Sequence, residues 1–374
     1  MTEILKFIIF QLWKVRININ CYSKLQKILR ANRSLKKPDS QFLYNYKAYW
    51  KKYGLRVNSV YFTLYSNICN HQDINFIPEN IYYSIIEPSM NNKIMSKMYS
   101  NKNLYDILYN CCAYLPLTII RRIDNVYYNI DYKRVNDIDV ISVLSTFSKF
   151  IIKNSLDSGG GRSVEFFSKK DRDTFINQKG DILSLRYLNQ HFIGDIIIQE
   201  YIQSHTYFSK FNSSSLNTVR VFTYRSVVDE EIKILHKIIR IGKEGSVVDN
   251  QAAGGISCGI NNNGILNNFA IDKWGNKYFE RGGYTFNDQI KVPLYQEILD
   301  MAISIASKNH YCRLLGIDLC VDINKNVRLI EVNNSNNEIN FYQMNNGSLF
   351  GDFSSEIINW SIKSKKTFCL DYYI

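Results

Sequence analysis

Apolar residues recur along this chain with two different periods, and the change from one to the other divides it. Near the start, Ile4, Leu5, Ile8, Ile9, Leu12 and Trp13 fall at helical spacing, the pattern of side chains sharing one face of a 3.6-residue turn. Aromatic and basic residues continue to mix in this way up to about residue 90, so residues 1–92 are expected to form an N-terminal helical region. From Ile94 the pattern changes. A helix is expected from Asn103 to Asn110, and runs rich in Ile, Val and Tyr predict strands from Thr118 to Ile123, Val126 to Ile130, Phe147 to Lys153, Asp195 to Ile202, Asn217 to Val227 and Ile232 to Gly242. Leu294, Ile298, Met301, Ala302, Ile305 and Ala306 then recur at helical intervals and predict an amphipathic helix from Leu294 to Ser307. A hairpin follows, Gly316–Leu319 and Leu329–Asn333 around a turn at Asn324-Lys325-Asn326. Strands that are mostly neighbours in sequence, with helices inserted between groups of them, argue for an α+β protein rather than a doubly wound parallel sheet. No Pro-rich or Gly/Ser-rich linker separates these regions, so they are expected to pack together.

Composition narrows the picture modestly. With 374 residues, 45% of them hydrophobic, the chain can bury a large core. Its net charge of +12 points to acidic partners: nucleotides, nucleic acid, anionic polymers or a membrane surface. Eight cysteines without a CxxC pair, two of them adjacent at Cys111 and Cys112, suit reduced thiols in a cytoplasmic protein. The apolar run at the N-terminus is broken by Glu3 and Lys6 and is too short to span a bilayer. Because Lys24, Lys27, Arg30, Arg33, Lys36 and Lys37 follow it, a helix lying on an anionic membrane is one reading. Apolar stripes of this kind more often pack on the protein's own core, and that is the expectation here.

The chemistry concentrates in a few places. In the final hairpin Glu331 and Asn333 share a face, with Ile330 and Val332 expected on the opposite one, and Asp318 sits on the partner strand. Two carboxylates and an amide oxygen make a hard donor set suited to magnesium, although a half-buried hairpin with a polar outer face offers the same residues. Lys153 ends a predicted strand just before the loop carrying Gly159, Gly160 and Gly161, whose bare amides could close on phosphate oxygens or simply make a tight turn. Gln199-Glu200-Tyr201-Ile202 ends another apolar strand, placed for its backbone to meet an adenine edge and Glu200 a ribose, or for Glu200 to be a solvated acid. Arg220 and Arg240 lie on apolar strands, where a guanidinium pairs with phosphate or carboxylate. Val248-Asp249-Asn250 to Gly254-Gly255 reads as a loop with close backbone approach. Gly255-Ile256-Ser257-Cys258-Gly259 matches the GxSxG of serine hydrolases, but no helix-forming segment follows it, so a hydrolase is not expected. The five histidines lack zinc-hydrolase spacing.

Taken in order, a lysine, a glycine loop, an apolar strand ending in Gln-Glu, paired strand arginines and a Glu-x-Asn hairpin resemble the ATP-grasp superfamily. More narrowly, the chain resembles the sugar-transfer-associated ATP-grasp proteins of bacterial polysaccharide loci. The pieces that carry this most specifically are Asn217-Thr218-Val219-Arg220, Asp249-Asn250 with Gly254-Gly255, and Leu329-Ile330-Glu331-Val332-Asn333. The resemblance implies two α+β subdomains clasping ATP over residues 93–360, a first lobe to about 202 and a second from 203, followed by a tail over 361–374. It implies Lys102 and Lys153 as phosphate-binding lysines, Gly159 to Gly161 as a loop over the phosphates, and Gln199, Glu200 and Ile202 around the adenosine. Asp318, Glu331 and Asn333 would hold magnesium, and Arg220 and Arg240 would face the transferred phosphate. After Asn333 the family commonly continues with a small or proline-containing turn, whereas Asn334-Ser335-Asn336-Asn337 stands here, so the acceptor side is not carried over.

The activity implied is an ATP-dependent ligation of a carboxylate to an amine through an acyl phosphate, on a sugar or cell-surface polymer precursor. A kinase using the same nucleotide site, and a basic scaffold binding nucleic acid or membrane without ATP, are the alternatives. No compact aromatic–basic nucleic-acid motif supports the scaffold, and nucleic acid is not an expected partner.

Overall fold

The computed structural model of the protein describes residues 3–156, 164–287 and 289–368. Three helices open it: α1 (Glu3–Ala31), α2 (Ser40–Lys51) and α3 (Val60–Cys69). The side chain of Asp39 caps α2 by accepting from the Gln41 amide at 2.7 Å. Short helical turns then run from Glu79 to Tyr109, including a π-helical segment at Tyr82–Ile86.

Two antiparallel sheets follow. The first contains β1 (Thr118–Ile123), β2 (Val126–Tyr128), β3 (Arg134–Val135), β4 (Lys149–Asn154), β5 (Val164–Lys169), β6 (Phe175–Asn177) and β7 (Ile196–Glu200), in the order β3-β2-β1-β7-β4-β5-β6. Asp124 and Asn125 between β1 and β2 have φ of 48° and 64°. Two left-handed residues in a two-residue loop match the right-handed twist of the strands they join. The second sheet contains β8 (Thr218–Arg225), β9 (Ile232–Ile241), β10 (Ile256–Ile260), β11 (Leu266–Ile271) and β12 (Lys277–Tyr278), then, beyond the small hairpin β13 (Glu280–Arg281) and β14 (Tyr284–Thr285), β15 (Leu314–Val321) and β16 (Val327–Asn333). Its order is β12-β11-β10-β9-β8-β15-β16. β1, β2, β4, β7, β8, β9, β15, β16 and the long helix Tyr295–Lys308 fall close to where the apolar periodicity predicts them, whereas it predicts none of β3, β5, β6 and β10 to β14, and the mixed α+β class holds.

Side-chain alternation gives the second sheet two working faces. Val219, Val221, Ile239, Ile241, Leu315 and Ile317 pack under the helix Tyr295–Lys308, against Ile298, Ala302 and Ile305. On the other face, Phe222, Tyr224, Ile238 and Leu314 join α3 and the helix Ile339–Asn346 in a second core. Toward one end of that same face the apolar side chains give way to Thr218, Arg220, Arg240 and Asp318, all buried. In the first sheet, Ile120, Phe150, Ile152, Phe167 and Ile198 form a third core with Leu188 of the helix Leu185–His191. The alternate positions Ile151, Lys153 and Gln199 turn toward the second sheet and line the cavity between the two.

Two expectations need correction. The stripe on α1 packs on the protein only in part: Ile9 and Trp13 are half-buried, whereas Ile4, Leu5, Ile8 and Leu12 are exposed. The alternation expected at Ile330 is broken, because the register moves from Asp318 opposite Glu331 to Leu319 opposite Leu329, leaving Ile330 as the extra residue of a bulge. Ile330 therefore lines the cavity, whereas Val332 is in the core. As expected, the GxSxG match is no strand–helix elbow: Ser257 lies inside β10, and its buried hydroxyl accepts from Gln251 and Asn345, each at 2.9 Å.

Candidate functional site

The site begins where two short lysine-bearing segments meet. Lys102 opens a 3-10 turn (Lys102–Leu104) after Asn101, whose side chain accepts from the Asn103 amide at 3.0 Å. The Lys102 amide donates to the Ser155 carbonyl at 2.8 Å, tying this turn to the end of β4, where Lys153 stands. Both lysines line a cavity of about 490 Å³ between the two sheets. Lys102 Nζ donates to Glu331 Oε1 at 2.7 Å. Lys93, earlier in the chain, pairs with the buried Glu87 and is not part of this lining.

The electrostatics of this end are unbalanced. Burial pushes Lys153 down to about 7, and the neighbouring charge of Lys102 adds to the effect. Burial also opposes ionisation of Glu331, but the Lys102 ammonium outweighs it and holds the carboxyl down to about 2. Two cations thus share one carboxylate.

The opposite end is built on β8, β9 and β15. Arg220 reaches across the β8–β15 pairing, where it stands opposite Asp318. Its Nε and Nη2 donate to the two oxygens of Asp318, each at 2.5 Å, in a fork-to-fork pair. Arg240 Nη1 adds a third bond to Asp318 Oδ2 at 2.7 Å, and its Nη2 meets Asp249 Oδ1 at 3.1 Å. Burial works against the charge of Arg220, yet Asp318 more than restores it. Asp249 is raised by its burial, with Arg240 opposing. Its other oxygen accepts the amide of Thr218 at 3.1 Å and the Thr218 hydroxyl.

Spacing alone assigns Asp249 no role, and the fold supplies one. The segment from Gly242 to Gly255 loops back on β8 so that Asp249 closes the arginine cluster. A side chain at Gly255 would come within 2.6 Å of the Asp249 carbonyl and 2.9 Å of the Asn250 carbonyl, so only glycine permits the return. Gly254 beside it has φ of 93°. The signal available in the sequence was two strand arginines with one assigned carboxylate between them.

All the predicted site residues among the described residues come together: Lys102, Lys153, Gln199, Glu200, Ile202, Arg220, Arg240, Asp318, Glu331 and Asn333 line the one cavity. Gly159, Gly160 and Gly161 lie outside the described residues. Glu200 is an ion-paired acid of the cavity lining rather than a freely solvated one. One of its oxygens accepts from the Leu117 amide at 2.8 Å and pairs with Arg328, which also donates to Asp322 at 3.1 Å. Ser335, Asn336, Glu338 and Phe341 add to the lining on the side the sequence left undescribed.

Asp318, Glu331 and Asn333 offer hard oxygen donors on one face, the type magnesium takes. Both carboxylates are already engaged by cations, and Asn333 donates to the Gly316 carbonyl at 3.1 Å. Glu200 and Glu338 of the lining are paired with Arg328 and Lys24 from outside it, which leaves Lys102, Lys153, Arg220 and Arg240 facing Glu331, Asp318 and Asp249. A bare dication would enter an already cationic site. The donor set therefore fits a magnesium ion brought in by a polyphosphate whose oxygens take over the lysines. Among the described residues no group of three or more His, Cys, Asp or Glu side chains is arranged to hold a metal unaided.

These features define an ATP-grasp protein: two antiparallel α+β lobes with lysines on one, and arginines and a Glu-x-Asn strand on the other. The family model for sugar-transfer-associated ATP-grasp proteins matches residues 84–355, and the chain belongs to that family. Among solved structures it is similar to the ATP-grasp ligase PsnB complexed with minimal precursor, at 12% identity and a TM-score of 0.38, over 72% of this chain and 64% of that one. It is also similar to the VanG D-Ala:D-Ser ligase of Enterococcus faecalis, at 11% identity and a TM-score of 0.39, over 70% and 62% of the two chains. The N5-carboxyaminoimidazole synthetase of Staphylococcus aureus, complexed with ADP, matches at 10% identity and a TM-score of 0.37, over 75% and 53%. In each case the match spans less than two thirds of the solved protein. No curated protein matches the chain.

Proposed function

We propose that this protein is an ADP-forming ligase that joins a carboxylate to an amine or a related nucleophile, acting on a sugar or cell-surface polysaccharide precursor. The observation that carries the reading is the meeting, in one 490 Å³ cavity, of an under-neutralised lysine pair with two arginines preset on buried carboxylates. A cavity of this size suits a nucleotide and a small acceptor. Lys102 and Lys153 bind the ATP phosphates, Gln199 and Ile202 border the adenosine, and Arg220 and Arg240 meet the transferred phosphoryl group. Asp318, Glu331 and Asn333 would hold a magnesium ion carried by the nucleotide, which would supply Lewis-acid polarisation of the phosphate oxygens.

The chain's own residues act by position and field. A substrate carboxylate oxygen attacks the γ-phosphorus and the bond to ADP breaks, giving an acyl phosphate. The amine nitrogen then attacks its carbonyl carbon, inorganic phosphate leaves, and the nitrogen gives up a proton. The negative charge that moves outward in the first step passes between the lysines and the arginines, where fixed cations need no reorganisation.

Calorimetry of ATP binding with and without magnesium tests the site, comparing the wild type with Glu331→Ala and Lys153→Ala. Magnesium-dependent binding weakened by both substitutions is expected, and a wild type that binds no nucleotide would remove the basis of the proposal. ADP and phosphate release that needs two acceptors then separates a ligase from a kinase, which needs only one.

A further inference from the structure

The chain's net charge is concentrated away from the cavity. Between residues 1 and 38 there are nine lysines and arginines and one acid, Glu3, which accounts for +8 of the whole chain's +12. Most of this segment is α1, and α1 is apolar on two sides. One side faces the protein: Cys21, Leu25 and Ile28 are buried, and the rings of Phe10 and Trp13 pack against Phe368 at separations of 5.4 and 6.2 Å. Lys24 fastens the same side through Glu79 at 2.8 Å and approaches Glu338, a residue of the cavity lining, at 3.9 Å.

The other side carries Ile4, Ile8, Leu12, Val15, Ile19 and Tyr22. Spacings of four, four, three, four and three place them in one stripe, and each is between 48% and 74% exposed. A helix that needed only to cap the protein would carry polar residues there. A continuous stripe of this length exceeds the scattered exposed apolar residues of an ordinary surface. Beside the stripe lie the exposed Arg16 and Lys27.

We infer that α1 is a membrane-docking helix, lying in the headgroup region of an anionic bilayer with this stripe in the acyl boundary and its basic residues on the lipid phosphates. The excess of eight positive charges in the segment selects an anionic lipid surface over an apolar protein partner, since like-charged second copies of α1 would repel. Among the described residues no helix is long and apolar enough to cross a membrane, so docking is along the surface. This inference is independent of the ligase reading, because it rests on a face outside the cavity.

The test is flotation of the full chain with vesicles of phosphatidylcholine alone, and with about one third phosphatidylglycerol. Binding to the anionic vesicles at least tenfold above the neutral ones, and falling as salt is raised, is expected. Ile8→Glu with Ile19→Glu should lower that binding tenfold or more, with the unfolding temperature unchanged because both side chains are exposed. Arg16→Glu with Lys27→Glu should lower binding to the anionic vesicles only. Absence of binding to either vesicle at low salt would overturn the inference. So would a stable dimer in sedimentation equilibrium that Ile8→Glu with Ile19→Glu dissociates, for then a second copy covers the stripe.

Discussion

The two ends of the cavity hold the same number of cations and treat them differently. At the arginine end, Arg220 and Arg240 are matched by Asp318 and Asp249, all four buried and linked by ion pairs, Arg220 and Arg240 to Asp318 and Arg240 to Asp249. At the lysine end, Lys102 and Lys153 have Glu331 between them, and Lys153 is pushed toward neutrality. The arginine end is thus an internal salt, set in place before any ligand arrives, while the lysine end is short of negative charge. A polyphosphate supplies what the lysine end lacks. The comparison separates residues that hold the site's shape from residues that give it affinity.

The largest expected consequence is on stability. Asp318→Ala leaves two buried guanidinium groups without their shared carboxylate and should cost about 3–5 kcal/mol in denaturant unfolding. Lys153→Met, which removes a desolvated charge, should cost nothing or stabilise slightly. Equal losses from the two would erase the distinction between the ends.

Affinity should respond in the opposite way. Lys153→Met is expected to weaken magnesium–ATP binding by about 10- to 100-fold, the loss of one charge-assisted contact, with the unfolding temperature retained. A variant that loses affinity only in proportion to lost folding would assign Lys153 to structure instead.

Acid sensitivity sharpens the role of Glu331. Its folded-state value is depressed to about 2 from an ordinary 4.5, so its contribution is complete above 4.5 and is lost as pH falls toward 2. After discounting for its partial exposure this is about 2 kcal/mol. Urea unfolding from pH 5 downward should show a shallower acid decline in Glu331→Gln than in the wild type.

The smallest effect is a proton. With Lys153 pushed down to about 7, the folded chain has released a proton that an ordinary lysine keeps to about 10, so stability should rise with pH across that interval. Phosphate in the cavity restores the charge. Calorimetry near pH 8 in two buffers of different ionisation enthalpy should register uptake approaching one proton on nucleotide binding, absent in Lys153→Met.

What the sequence determined by itself is the order of the elements and the residues that face one another along a strand. Apolar alternation marks β8, β9 and β15, and it also marks where Arg220, Arg240 and Asp318 interrupt them, because the period of two fixes the face of each side chain. Glu331 and Asn333 were legible for the same reason. Periodicity describes one element at a time, so it could not show that Asp249 returns on Arg240, that Arg328 takes Glu200, or that a bulge turns Ile330 into the cavity. The helix α1 is the clearest case. Its sequence shows apolar residues at helical spacing, and only the packing of Phe10, Cys21, Leu25 and Ile28 on the body decides which of its two apolar sides is covered and which is left to meet something else.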